Sequence, residues 1–137
     1  MRALFRVALA SVLVSLPATA AEAAKATGAP PAIQAEFDGF IAKFRAALKA
    51  NDSAAVAAMS ALPFTADEVY SDAAQFRAKL YPHYFTRKFR NCIRHEKALY
   101  ARDGDNNDTY AIFCFDNIFN FTRKPAGFLL TDIGLND

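Results

Sequence analysis

Thr109-Tyr110-Ala111-Ile112-Phe113-Cys114-Phe115-Asp116-Asn117-Ile118-Phe119-Asn120-Phe121 repeats its side-chain character at every second residue, the period of a half-buried strand. As one long strand it places Thr109, Ala111, Phe113, Phe115, Asn117, Phe119 and Phe121 on one face, with Tyr110, Ile112, Cys114, Asp116, Ile118 and Asn120 on the other. Lys97 to Arg102, just upstream, has the same period. Between them Asp103-Gly104-Asp105-Asn106-Asn107-Asp108 is a turn of residues that tolerate left-handed or locally hydrogen-bonded backbone. Downstream, Arg123-Lys124-Pro125-Ala126-Gly127 turns into a further strand over Phe128 to Ile133. The second half of the chain therefore reads as an antiparallel meander.

The first half keeps the helical period. Ile33, Phe37, Phe40, Ile41, Phe44 and Leu48 recur at spacings of three and four, which puts them on one helical face. Asn51-Asp52-Ser53 ends that helix and offers caps to an Ala-rich second one through Val56 and Met59. Leu62-Pro63-Phe64 is extended, because proline restricts the residue before it. Thr65-x-x-Glu68 has the capping-box pattern and predicts a helix burying Val69, Tyr70, Ala73, Phe76 and Leu80, broken or kinked at Pro82. Phe85, Phe89, Cys92 and Ile93, with Arg87, Lys88, Arg90 and Arg94 between them, predict a basic amphipathic helix over residues 86–95. Helices followed by an antiparallel sheet make the fold class α+β, with the helices on one side of the sheet.

Ahead of the helices, Arg2 and Arg6 precede the apolar run Val7 to Leu16, and Ala18-Thr19-Ala20 is a small-x-small cleavage site. Residues 1–20 read as a secretory signal peptide, too short in its apolar part to be a stable membrane anchor. Residues 21–31 are a flexible leader and residues 32–137 a single domain. The expected location is periplasmic or secreted. The formal charge of +2 then disappears with Arg2 and Arg6, but Arg77 to Arg102 remains strongly basic. Export also makes Cys92 and Cys114, the only two cysteines, a structural disulfide, since no Cys-x-x-Cys pair points to redox work.

Phe44-x-x-Ala47-Leu48 with Asp52, Leu62-Pro63-Phe64, Phe85-Thr86 leading to Cys92, and Gly127-Phe128-Leu129-Leu130 before a terminal Asp carry a likeness. From about Ala32 to Asp137 the chain resembles exported members of the nuclear transport factor 2-like (cystatin-like) superfamily. The resemblance implies a curved sheet wrapped around a helix into a cone whose mouth holds a small ligand, and frequent dimerisation through the outer face of the sheet. The same cone serves enzymes and non-catalytic binding proteins, so the fold does not choose among them.

The bridge to the basic helix would aim the Cys114 face at the helices and with it Asp116, a carboxylate whose pKa burial would raise. Asp116 with Tyr70, Tyr84 or Tyr100 would then suit an isomerase or dehydratase working by proton transfer beside a carbonyl. The competing placement for Asp116-Asn117 is a bulge or strand break. Phe113, Phe115, Phe119 and Phe121 would face outward and form an interface, most simply a homodimer. The leading expectation is a non-catalytic domain that binds a small ligand or an envelope protein, without cofactor. The alternatives are the acid/base enzyme and an immunity- or inhibitor-type protein acting through the basic helix. His83 and His95 stand twelve apart with no carboxylates at ligand spacing, so no metal site is expected. The Asp103–Asp108 turn lacks a calcium loop's closing Glu. Export argues against a nucleic-acid partner.

Overall fold

The computed structural model describes residues 28–137, so the signal peptide and most of the leader lie outside the described residues. Helix α1 (Pro31–Lys49) opens on proline, whose missing N–H costs nothing in the first turn. It buries Phe37, Ile41, Phe44 and Leu48, the spacing expected of one apolar face. Its end is a Schellman closure. Asn51 turns left-handed at φ 53°, the Asp52 N–H returns to Ala47 O and the Asn51 N–H to Leu48 O. Asp52 then caps α2 (Ser53–Ala58), its Oδ1 accepting from the Ala55 N–H at 3.1 Å.

Strand β1 (Ser60–Thr65) contains Leu62-Pro63-Phe64 and is extended as expected, but the helix anticipated from Thr65-x-x-Glu68 does not form. Thr65 ends β1, and Val69–Tyr70 is a short antiparallel strand, β2. Strand pairing satisfies that backbone and buries Phe64 and Tyr70, which outweighs a local capping signal. Asp72 is the true cap, of α3 (Ala73–Gln75), and Val69 and Ala73 are exposed. A π-helical turn (Phe76–Leu80) joins α3 to α4 (Tyr81–Tyr84), and Pro82 sits within the first turn of α4, where its absent N–H is tolerated. The basic helix α5 (Arg87–His95) follows, with Thr86 at its N-cap.

The long strand is two strands. β4 (Asp108–Cys114) and β5 (Asn117–Lys124) form a hairpin in which Cys114 faces Asn117, Ile112 faces Phe119 and Tyr110 faces Phe121. Only Phe115 and Asp116 separate them, and Phe115 holds a left-handed φ of 58°. With β3 (Leu99–Arg102) and β6 (Gly127–Leu135) these strands make the anticipated meander. The sheet is larger than that meander, because β1 adds to β6 in parallel: the six-stranded order is β2-β1-β6-β5-β4-β3. The architecture is α+β.

Aromatic rings fill the space between α1 and the sheet. Phe37 stacks on Tyr110 at 3.7 Å and meets Phe128 edge-on at 5.2 Å, while Phe44 meets Phe121 edge-on at 5.1 Å. Beyond them Phe85 packs on Phe119, and Phe64 on Phe76. All of these side chains are buried. The centre of a would-be cone is thus occupied by the protein itself.

Candidate functional site

The β4–β5 turn changes the meaning of the run that suggested it. A two-residue connection pairs even-numbered residues with odd ones, so the face that is outward before the turn is inward after it. Tyr110, Ile112 and Cys114 share the buried face with Phe119 and Phe121, which are fully buried and not available as interface residues. Phe113 and Phe115 remain exposed, by 43% and 53%. Phe113 pairs across the outer face with half-buried Ile118, and Leu99 with Ala111. Beside them runs a polar ladder, Asn120 Nδ2 to Asp132 Oδ1 at 2.7 Å and Thr122 Oγ1 to Thr131 Oγ1 at 2.8 Å.

Asp116 is exposed in the turn and does not point into the interior. Asn136 holds this turn in place, donating its N–H to Asp116 O at 2.9 Å and its side-chain amide to Phe115 O at 3.1 Å. No hydrogen bond joins Asp116 to Tyr70, Tyr84 or Tyr100, so the anticipated acid/base group is not assembled. Tyr70 and Tyr84 converge on another carboxylate, Asp67 in the β1–β2 turn, to which the Tyr70 hydroxyl donates at 2.9 Å. That hydrogen bond, seconded by Tyr84, holds the Asp67 pKa below the usual carboxylate range. Burial pushes both phenols up, and Asp67 adds to it through its hydrogen bond at Tyr70 and its charge at Tyr84. Acid and base are thereby moved away from neutrality, the reverse of what proton transfer at neutral pH requires. The cluster braces the β1–β2 turn against α4. Tyr100 lies on β3, where its hydroxyl donates to Asp108 at 2.7 Å.

Cys92 on α5 is bonded to Cys114 at the end of β4, which ties the basic helix to the turn. Lys88, one helical turn before Cys92, sets its Nζ 3.8 Å from the centre of the Phe115 ring, and Phe89 meets the same ring edge-on. Sequence reasoning missed this cluster and missed Asp67. The available signal was weak: Asp116-Asn117 is a turn-prone pair inside an otherwise apolar run, but large apolar residues stand at both parities before it, at Ile112 and Phe113, so alternation alone could not mark the reversal. His83 packs edge-on against Tyr84, and His95 Nδ1 lies 2.8 Å from Asn91 O. Among the described residues no three His, Cys, Asp or Glu side chains are grouped to hold a metal, and no helix is long and apolar enough to cross a membrane. No protein-family model matches the chain, and no curated protein is significantly similar to it.

Proposed function

We propose that the chain is an exported domain of nuclear transport factor 2-like type that works by binding and not by catalysis, and that the outer face of its sheet takes a second copy of itself. The observation that carries this reading is the filled interior: Phe37, Phe44, Tyr110, Phe121 and Phe128 occupy the place of a ligand, while Asp116 lies apart from Tyr70, Tyr84 and Tyr100. The disulfide suits an oxidising compartment, and the helix-first order with one sheet over α1 suits the superfamily. Phe113, Ile118, Leu99 and Ala111 supply apolar surface on the β3–β4–β5 side of the outer face.

Light scattering of the exported chain tests the dimer. The expected result is a dimer that Phe113→Asp converts to a folded monomer; a parent chain that stays monomeric as concentration rises overturns it. One observation favours a second reading. Phe40, Met59, Phe128 and Leu129, with charged Glu36 and Lys43, line a surface groove of about 490 Å³ between α1 and the β5–β6 turn, of a size for a small ligand. Native mass spectrometry of the exported protein separates the two, since a retained ligand adds mass to each protomer.

A further inference from the structure

The basic helix finds no use in the dimer. Residues 87–95 carry Arg87, Lys88, Arg90, Arg94 and His95 with no acidic side chain. The ion pairs among the described residues, Arg102 with Asp108 and Arg123 with Glu36, include none of these cations. Arg90 turns inward to Phe85 O at 2.7 Å, leaving Arg87 and Lys88 exposed and Arg94 half-buried. Glu96, which follows α5 directly, and Asp116 and Asp137 at the same end of the molecule subtract from this positive charge, leaving the cations concentrated on the face of α5 that carries Arg87 and Lys88.

Next to these cations the chain displays apolar groups where burial would be expected. Phe115 is held out at the tip of the hairpin by a left-handed backbone that few non-glycine residues adopt, and the neighbouring Cys114 is bonded to α5. Leu135, opposite Asn117 at the same sheet end, is 74% exposed. Phe115, with Lys88 over its ring and Phe89 against its edge, presents a half-exposed aromatic surface directly beside the cations. It suits a soft surface that takes up apolar groups and carries negative charge.

We propose that the end of the molecule formed by Phe115, Leu135 and the exposed face of α5 docks on a bilayer rich in anionic headgroups, with Phe115 entering the interfacial layer and Arg87 and Lys88 meeting phosphates. The proposal goes beyond the dimer reading and does not use Phe113, so either fails without the other. Its test is co-sedimentation of the full exported chain with phosphatidylcholine vesicles, with and without phosphatidylglycerol. Binding is expected only with phosphatidylglycerol and is weakened by salt. Phe115→Ser and Lys88→Glu each lower partitioning by about tenfold, while Lys124→Glu, a charge-matched change away from α5, leaves it nearly unchanged. The chain has no tryptophan, so Phe115→Trp supplies a unique reporter whose emission shifts to the blue on phosphatidylglycerol vesicles. No binding to those vesicles, an unshifted emission from the Phe115→Trp variant, or a Lys124→Glu loss equal to that of Lys88→Glu overturns the proposal. Salt-sensitive binding to soluble polyglutamate without binding to vesicles also overturns it and points to an acidic protein partner.

Discussion

Reducing the Cys92–Cys114 bond isolates one constraint in an otherwise unchanged chain. The bond spans 22 positions of sequence, and on the chain-entropy account closing a loop of that length stabilises by about 3 kcal/mol. For a domain of this size that is a fall of about 10–15 °C in thermal midpoint. The loss should be uneven. Helix α5 has 9 residues, too few to persist alone, and like charges three and four apart, Arg87 with Arg90 and Arg90 with Arg94, oppose it. Without the bridge, what holds α5 is burial of Ile93 and Phe89 and the Arg45 Nε–H donating to Ile93 O at 3.0 Å. Native-state hydrogen exchange with and without reductant, with mass spectrometry to confirm free thiols, is the assay. Amides of residues 91–95 should lose protection first and those of β5 and β6 last. A midpoint that moves by less than about 2 °C, with both thiols shown to be reduced, would refute the reasoning.

Three further outcomes follow from the same geometry. Phe121→Ala removes a fully buried ring in contact with Phe37, Phe40 and Phe44 and should cost about 3–5 kcal/mol in denaturant unfolding; a loss under about 1.5 kcal/mol, half the smallest expected, would mean the rings are not closely packed. Phe115→Gly relieves a left-handed backbone worth about 1–2 kcal/mol to a non-glycine residue and gives up an exposed ring contact worth less. A small rise in stability is therefore expected by chemical denaturation, and a clear fall would show the ring contact to dominate. At alkaline pH burial, with Asp38 adding to it, pushes the Tyr110 phenol up to about 12. A raised folded pKa gives stability that is complete below the free phenol's value, near 10, and is lost as pH rises toward 12. Tyr110→Phe should flatten that alkaline decline in thermal midpoints.

The helical half was legible where one element's own pattern decided it. The apolar spacing of α1, the Asp52 cap and the Phe85 to Ile93 face of α5 needed no distant partner. The errors fall where a remote strand intervened. Thr65-x-x-Glu68 satisfies a helix cap locally, but β1 is claimed by β6, and Val69–Tyr70 completes that edge. The period of two identified Thr109 to Phe121 as sheet but could not by itself place a two-residue reversal, so faces assigned beyond Cys114 were inverted. That one inversion moved Phe119 and Phe121 from interface to core and Asp116 from interior to turn. The cysteine pairing survived, because two cysteines allow one bridge.

The position of β6 has a consequence for when this molecule can become itself. β6 lies between β1 and β5 although it is the last described strand in the chain, pairing Leu130 with Ser60 on one side and with Phe121 on the other. A chain delivered from its N-terminus therefore presents β1 with a bare edge, and α1 without the Phe128 ring against Phe37, until Gly127–Leu135 has arrived. Assembly is held back to the end of delivery, and an interval of exposed strand edge comes with it.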